Sequence, residues 1–313
     1  MKETSQEEVK INHKANISLM CRILKVKRAN YYKWLHHKKS ATDKENEELA
    51  AYIKRYDEMF DHTLGYRMMC DRINRDEDKH YIDKRVYKIM HILGLQSIIR
   101  KKAHSCTVRK KNNTADNKLK RDFNATRPNE KWVTDVTEFK YGKGNQKKLY
   151  LSAIMDLYDR TVVGYEISDH NDNHLVFNTI KQALVNNPGV TPLFHSDGGY
   201  QYTSLAFINM LKQQKIIQSM SRVHCCIDNG PMEGFWGILK CEMYKRKHFN
   251  TKEELTTMIH MWIRYYTYVR YQRRFGVQTP FEVRSEALKK TTPIYYPIPL
   301  NPRIVNYKIE HYK

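Results

Sequence analysis

At Lys131 the helical pattern of the preceding segments gives way to short runs rich in Val, Ile, Tyr and Thr. That change of pattern limits the fold more than any other feature of the chain. Beyond it, Trp132 to Phe139, Leu149 to Met155 and Thr161 to Ile167 read as strands, with turns at Gly142 to Asn145 and at Asp159-Arg160. Three strands joined so closely form an antiparallel meander. A helix is expected from Asn173 to Val185, with Val176, Ile180 and Leu184 on one face, and Asn186-Asn187-Pro188-Gly189 ends it. A strand from Thr191 to His195, a helix from Ser204 to Gln213, a strand from Ile216 to Ser219 and a helix from about Gly230 to Lys245 follow. The order β-β-β-α-β-α-β-α predicts an α/β fold, a mixed sheet flanked by helices.

That order is the one expected of the ribonuclease H type of layered fold. An all-α region precedes it. From Asn16 to Leu35 the apolar residues fall at helical spacing around a basic break at residues 25–28, which fits either a helix-turn-helix or a plain helical hairpin. Helices are then expected over Leu49 to Phe60, Tyr66 to Ile73 and Lys84 to Leu93, the last stopped by Gly94. In that last helix Lys84, Arg85 and Lys88 lie off the apolar face, placed either to follow a phosphate backbone or to face solvent. The expected organisation is a helical region over 1–99, a basic linker over 100–125, an α/β core over 126–285 and a tail over 286–313.

Charge narrows the partner. The 55 Lys and Arg against 34 Asp and Glu leave a formal +21, and a strongly basic surface suits a polyanion because each phosphate contact releases condensed counterions. Nucleic acid is the first candidate. Cys21, Cys70, Cys106, Cys225, Cys226 and Cys241 show neither CxxC pairs nor regular spacing, so reduced thiols are expected rather than zinc or a disulfide framework. The adjacent His224, Cys225 and Cys226 cannot easily converge on one tetrahedral ion. A polar N-terminus and the lack of any apolar run near the ~20 residues of a membrane helix point to the cytoplasm, with no membrane partner.

Three acids stand at informative places. Asp135 lies within the first strand between Val133, Val136 and Phe139, Asp197 directly past the fourth, and Glu233 in the first turns of the late helix. Metal-assisted phosphoryl transfer needs hard oxygen donors holding two divalent ions ~3.5 to 4 Å apart. Carboxylates supply them, although a salt bridge to Lys or Arg would equally relieve a charge at Asp135.

The surrounding motifs favour the first reading. His195 to Ser204 (HSDGGYQYTS), Asp228 to Glu233 (DNGPME), Trp132 to Asp135 (WVTD) and Met155 to Gly164 (MDLYDRTVVG) occur in one order, with 61 residues between Asp135 and Asp197 and 35 between Asp197 and Glu233. The pattern resembles the DDE signature of bacterial insertion-sequence transposases, whose core is related to retroviral integrases. Leu64 to Arg67 and Lys84 to Leu95 resemble the helix-turn-helix segment before that core.

This resemblance implies a DNA transposase that cleaves phosphodiesters at element ends and transfers the freed 3′ hydroxyl. Asp135, Asp197 and Glu233 would be its catalytic and metal ligands, for two Mg2+ or Mn2+ ions. It implies DNA contacts at Lys240, two helical turns beyond Glu233, and at Arg270 in the closing segment Tyr265 to Arg273, beside those expected of Lys84, Arg85 and Lys88. Its partners would be double-stranded DNA at the element ends and the target, further copies of the chain assembled on that DNA, and an upstream-frame product fused by frameshifting. Asp156 and Asp159 are expected to be structural, and His195 and Tyr202 to shape the site without ligating. This chain departs from the pattern at His224, Cys225, Gly230, Gly234, Thr267 and Gln272. The rival expectations are a DNA-binding protein that has lost catalysis and a ribonuclease H-like nuclease.

Overall fold

Five strands form one sheet in the order β3-β2-β1-β4-β5, with β1 over Lys131–Tyr141, β2 over Lys147–Asp156, β3 over Val162–Ser168, β4 over Leu193–Ser196 and β5 over Ile217–Met220. The structure, a computed structural model, describes residues 17–36, 39–98, 115–222 and 226–299, with 302, 305 and 309. β1, β2 and β3 form the expected meander, and β4 and β5 join in parallel: Val133 pairs with Met155 on one side and with His195 on the other. The sheet is mixed, as the element order requires.

Period-2 alternation gives this sheet two apolar faces. Trp132, Ile154 and Val163 point to one, against α6 (Asn173–Asn186) and α8 (Leu205–Gln213). Val133, Leu151 and Met155 point to the other, against α9 (Gly230–Leu239), α10 (Lys252–Tyr268) and α11 (Pro280–Ala287). A short helix, α7 (Tyr200–Thr203), lies between β4 and α8. Gly164 lets β3 close on α6: a Cβ there would lie 2.7 Å from the Thr179 carbonyl oxygen and 2.9 Å from the Ala183 nitrogen.

The helical region comprises α1 (Ile17–Ile23), α2 (Arg28–Leu35), α3 (Ala41–Met59), α4 (Tyr66–Asp76) and α5 (Asp83–Ile92). α3 begins well before the expected Leu49. Ser40 Oγ accepts the Asp43 N–H at 3.1 Å while the Asp43 carboxylate accepts the Ser40 N–H, a capping box that satisfies two end donors at once. Leu49, Ile53, Met69, Ile73 and Val86 give α3 to α5 a core of their own. Gly94, at φ +69°, ends the last helix as expected.

Two boundaries need correction. Residues 101, 102 and 109–111 of the expected linker lie outside the described residues, as do His224 and Cys225. From 115 onward the chain is part of the core. Leu119, Phe123 and Ala125 are buried, and the Leu119 N–H donates to Ser219 Oγ at 3.0 Å. Three apolar residues among the basic ones suffice to bury the segment, and Arg121, read as linker charge, is spent on Asp228. The tail is likewise anchored, where the Ile298 N–H donates to Asn124 Oδ1 at 2.9 Å and Tyr158 donates its hydroxyl to the Ile294 carbonyl at 2.8 Å.

Candidate active site

The parallel register brings two of the three acids together. With Val133 beside His195, two more residues along each chain set Asp135 beside Asp197, and both are half-buried. Asp197 Oδ1 accepts the Gly199 N–H at 2.9 Å. A Cβ at Gly199 would sit 2.9 Å from that same oxygen and 3.0 Å from Gln201 Oε1, so the turn needs glycine for close approach. Tyr202 is buried beneath, its hydroxyl 3.2 Å from Thr134 Oγ1. Burial, and then the negative charges of Asp197 and Asp135, push that phenol well above its ordinary range, so it stays a neutral hydrogen-bonding group.

His195 is wholly buried at the end of β4, with Nδ1 2.9 Å from Ser219 Oγ and Nε2 3.0 Å from Ser221 Oγ. Burial drives its imidazole down to about 4. The neutral ring ties β4 to β5 directly before Asp197. His195 and Tyr202, expected to shape the site, are both buried.

The third acid arrives on α9, which two hydrogen bonds clip to β1. Asn229 Nδ2 donates to the Thr134 carbonyl at 2.9 Å, and Trp236 Nε1 donates to Asp135 Oδ2 at 3.1 Å. Glu233 and Trp236 stand three residues apart on α9, so Glu233 is carried by the helix that Asn229 and Trp236 tie to β1. Further along, Lys240 Nζ stands 5.4 Å from the centroid of the Phe139 ring. Burial lowers its ammonium below the usual lysine range, against the opposing pull of Asp135 and Glu138.

The turn before α9 is fixed by Asp228, fully buried, whose carboxylate accepts from Asn117 Nδ2 at 2.8 Å, Arg121 Nε at 2.6 Å and the Arg222 guanidinium and N–H. Burial works to raise this carboxyl, but the hydrogen bonds from Arg222 and Arg121 prevail and hold it below its ordinary value. Glu233 itself is exposed. Among the described residues no three His, Cys, Asp or Glu side chains form a group that could hold a metal ion. Asp135 and Asp197 thus follow paired residues of β1 and β4, and Glu233 stands exposed on the helix that Trp236 ties to Asp135.

The residues expected at DNA divide. Lys84 and Lys88 are exposed on α5, while Arg85 is held by Glu45 and Asn46. Arg270 is committed elsewhere: its guanidinium pairs with Glu242 at 2.9 Å, with 13% of the side chain exposed. A nearly buried carboxylate demands a cation, and the basic residue nearest the end of α10 supplies it. Trp236, Asn229 and Asp228 went unread as site residues. The signal for Trp236 was its place three residues beyond Glu233, on the same helical stripe.

Models of the integrase core domain match residues 125–226 and 233–296, and an HTH-like domain matches residues 44–103. The last match falls on α3 to α5, where Leu64 to Arg67 and Lys84 to Leu95 carry the resemblance. An uncharacterized transposase-like protein of Haemophilus influenzae is 40% identical over 205 residues, 66% of this chain and 94% of its own length. The protein named as the transposase InsK for insertion sequence element IS150 of Escherichia coli is 36% identical over 271 residues, covering 85% of this chain and 93% of its own. Among solved structures, the HTLV-2 integrase catalytic core domain in complex with magnesium is similar at 19% identity, with a TM-score of 0.41 over 50% of this chain and 97% of that one.

Proposed function

Because the chain belongs to the bacterial insertion-sequence transposases, we propose that Asp135, Asp197 and Glu233 are the metal-binding acids of its DDE-type polynucleotidyl transferase site. What supports this is the parallel pairing of Val133 with His195, two residues before Asp135 and Asp197 respectively, with Glu233 on the helix that Asn229 and Trp236 tie to β1. Its activity is that of a DNA transposase, and the integrase core family to which its catalytic half belongs is metal-dependent. The donor set fits Mg2+ or Mn2+. All three groups are hard carboxylates, and an exposed glutamate on a helix can swing toward the two aspartates. Two bound ions would supply charge stabilisation to the attacking and leaving oxygens of the phosphodiester.

The chain's own groups prepare that chemistry. The neutral Tyr202 and His195 keep competing charges out of the floor, so the negative charge of the site resides on the acids. Lys240, further along the chain from Glu233, offers a desolvated ammonium suited to a DNA phosphate near the reacting one. In this reaction class water opens the strand at the element end and the freed 3′ hydroxyl attacks a second phosphodiester, with no covalent intermediate on the protein. The homologues and the HTH-like domain imply DNA binding, and Lys84 and Lys88 provide exposed cations on α5 for it. No described helix is long and apolar enough to cross a membrane. Assembly as a homo-oligomer on element ends, and fusion to an upstream-frame product, complete the proposal.

The test is a supercoiled plasmid carrying the gene and its native flanks, incubated with Mg2+ and either wild type or Glu233→Gln. Wild type should give nicked and end-joined products, and the variant none while binding DNA with unchanged affinity. Cleavage by the variant, or loss of DNA binding together with cleavage, would overturn the assignment of Glu233.

A further inference from the structure

Trp236 holds one oxygen of Asp135. The Asp135 carboxylate accepts its neighbour's N–H, from Val136, at Oδ1 (2.9 Å) and the Trp236 indole N–H at Oδ2 (3.1 Å). An ionised carboxylate only accepts, and these two donors, one at each oxygen, constrain its orientation. The indole suits that task because it only donates. It steers the carboxylate and cannot compete as a ligand.

The indole is itself immobilised. Trp236 is 7% exposed and packs against Phe235, at 5.0 Å between ring centroids, and Phe235 in turn meets Trp262 at 5.5 Å and Tyr266 at 5.0 Å. A side chain so enclosed has few rotamers open to it, so the donor's position is set by the core. The same helix carries Glu233 three residues earlier, and Asn229 clips its start to the carbonyl of Thr134, the residue before Asp135. One rigid element therefore presents the third acid and orients the first.

We propose that Trp236 is a positioning residue that sets the rotamer of Asp135 and, through α9, the register of Glu233 against it. This rests on the reading of Asp135 and Glu233 as metal-binding acids. Donors behind metal ligands typically account for 10–100-fold in affinity, so the expected effect is on metal affinity first and on turnover second.

The experiment titrates the full chain with Mn2+ alone, following the rise in melting temperature, and repeats plasmid cleavage across the same Mn2+ range. Trp236→Phe keeps an aromatic ring and removes the N–H. Trp262→Phe is the control, because that indole is equally buried and donates to Glu242 at 3.2 Å instead. W236F should raise the half-saturating Mn2+ about tenfold in both assays, with cleavage recovering toward wild type at saturating Mn2+. W262F should leave the half-saturating concentration unchanged. If W236F lowers the metal-free melting temperature and leaves the half-saturating Mn2+ at the wild-type value, Trp236 only fills the core and the inference fails. A wild type that does not respond to Mn2+ would instead sink the metal-site reading, and the inference with it. Should W236F not fold, quenching of indole emission by Mn2+ carries the test in a chain whose one tryptophan is Trp236, with Trp34, Trp132 and Trp262 each replaced by phenylalanine. Quenching that disappears on adding Asp135→Asn supports the inference, and no quenching overturns it.

Discussion

Replacing Arg284 by Met should destabilise the protein severely, and more so at alkaline pH. Arg284 is 9% exposed and donates Nη1 to Asp156 Oδ2 at 3.0 Å and to Asp159 Oδ2 at 2.8 Å, while Nη2 reaches Asn129 Oδ1 at 2.6 Å and Asn187 Oδ1. Both aspartates are completely buried, so methionine would fill much the same volume and leave two carboxylates with no guanidinium between them. Removing one partner of a buried ion pair costs about 3–5 kcal/mol, and for a domain of this size each kcal/mol is roughly 2–4 °C, so the melting temperature should fall by roughly 6–20 °C. The pH dependence has a definite sign. Burial, and then the charge of Asp159, push the Asp156 carboxyl up to about 7 even against Arg284. The folded state therefore holds a proton that the unfolded chain has released, and stability falls as pH rises from about 4 through 7. Without Arg284 that window extends upward, so the penalty at pH 8 should exceed that at pH 5.5, and adding Asp156→Asn should restore part of it. Urea denaturation of the three proteins at both pH values is the assay. A loss below ~1 kcal/mol, equal at the two pH values, would refute the view that this cluster is an electrostatic clamp.

Two further outcomes are expected. Gly164→Ala should cost about 1–3 kcal/mol in denaturant unfolding, because its methyl would meet backbone atoms of α6 at 2.7 and 2.9 Å and the helix must lift from β3. Arg273→Ala should loosen the helical module from the core, since the Arg273 guanidinium forks to Asp71 and Asp83 across that boundary beside the Arg75 to Glu282 and Tyr271 to Asp76 contacts. Small-angle scattering should then give a larger radius of gyration while far-ultraviolet dichroism stays unchanged.

Much of the core was legible because its strands are short runs of β-branched and aromatic residues bounded by turns. Trp132 and Val133 point to opposite apolar layers, and the turns at Gly142 and Arg160 fall where the chain reverses. The first two acids could be read because each stands in a short motif on or beside a strand. Glu233 could be placed on its helix, but its relation to Asp135 could not, because the clips at Asn229 and Trp236 are contacts across about a hundred residues of sequence. The burial of Leu119, Arg121, Phe123 and Ala125 was hidden for a related reason. Arg121 looks like solvated charge until Asp228 is known to lie beside it. Glu242 as the partner of Arg270 was hidden likewise, since the two stand 28 residues apart. The start of α3 is different. Ser40 and Asp43 already spelled its capping box, although the polar residues between them resemble a loop.

The transferase site requires Asp135, Asp197 and Glu233 to converge on metal. Crystals of the full chain soaked in Mn2+ and measured for anomalous scattering show where the ion binds. Anomalous density is expected between Asp135 and Asp197, at about 2.0–2.2 Å from their oxygens, with Glu233 turned in toward it. Density elsewhere, or none at these carboxylates at saturating Mn2+, would contradict that convergence.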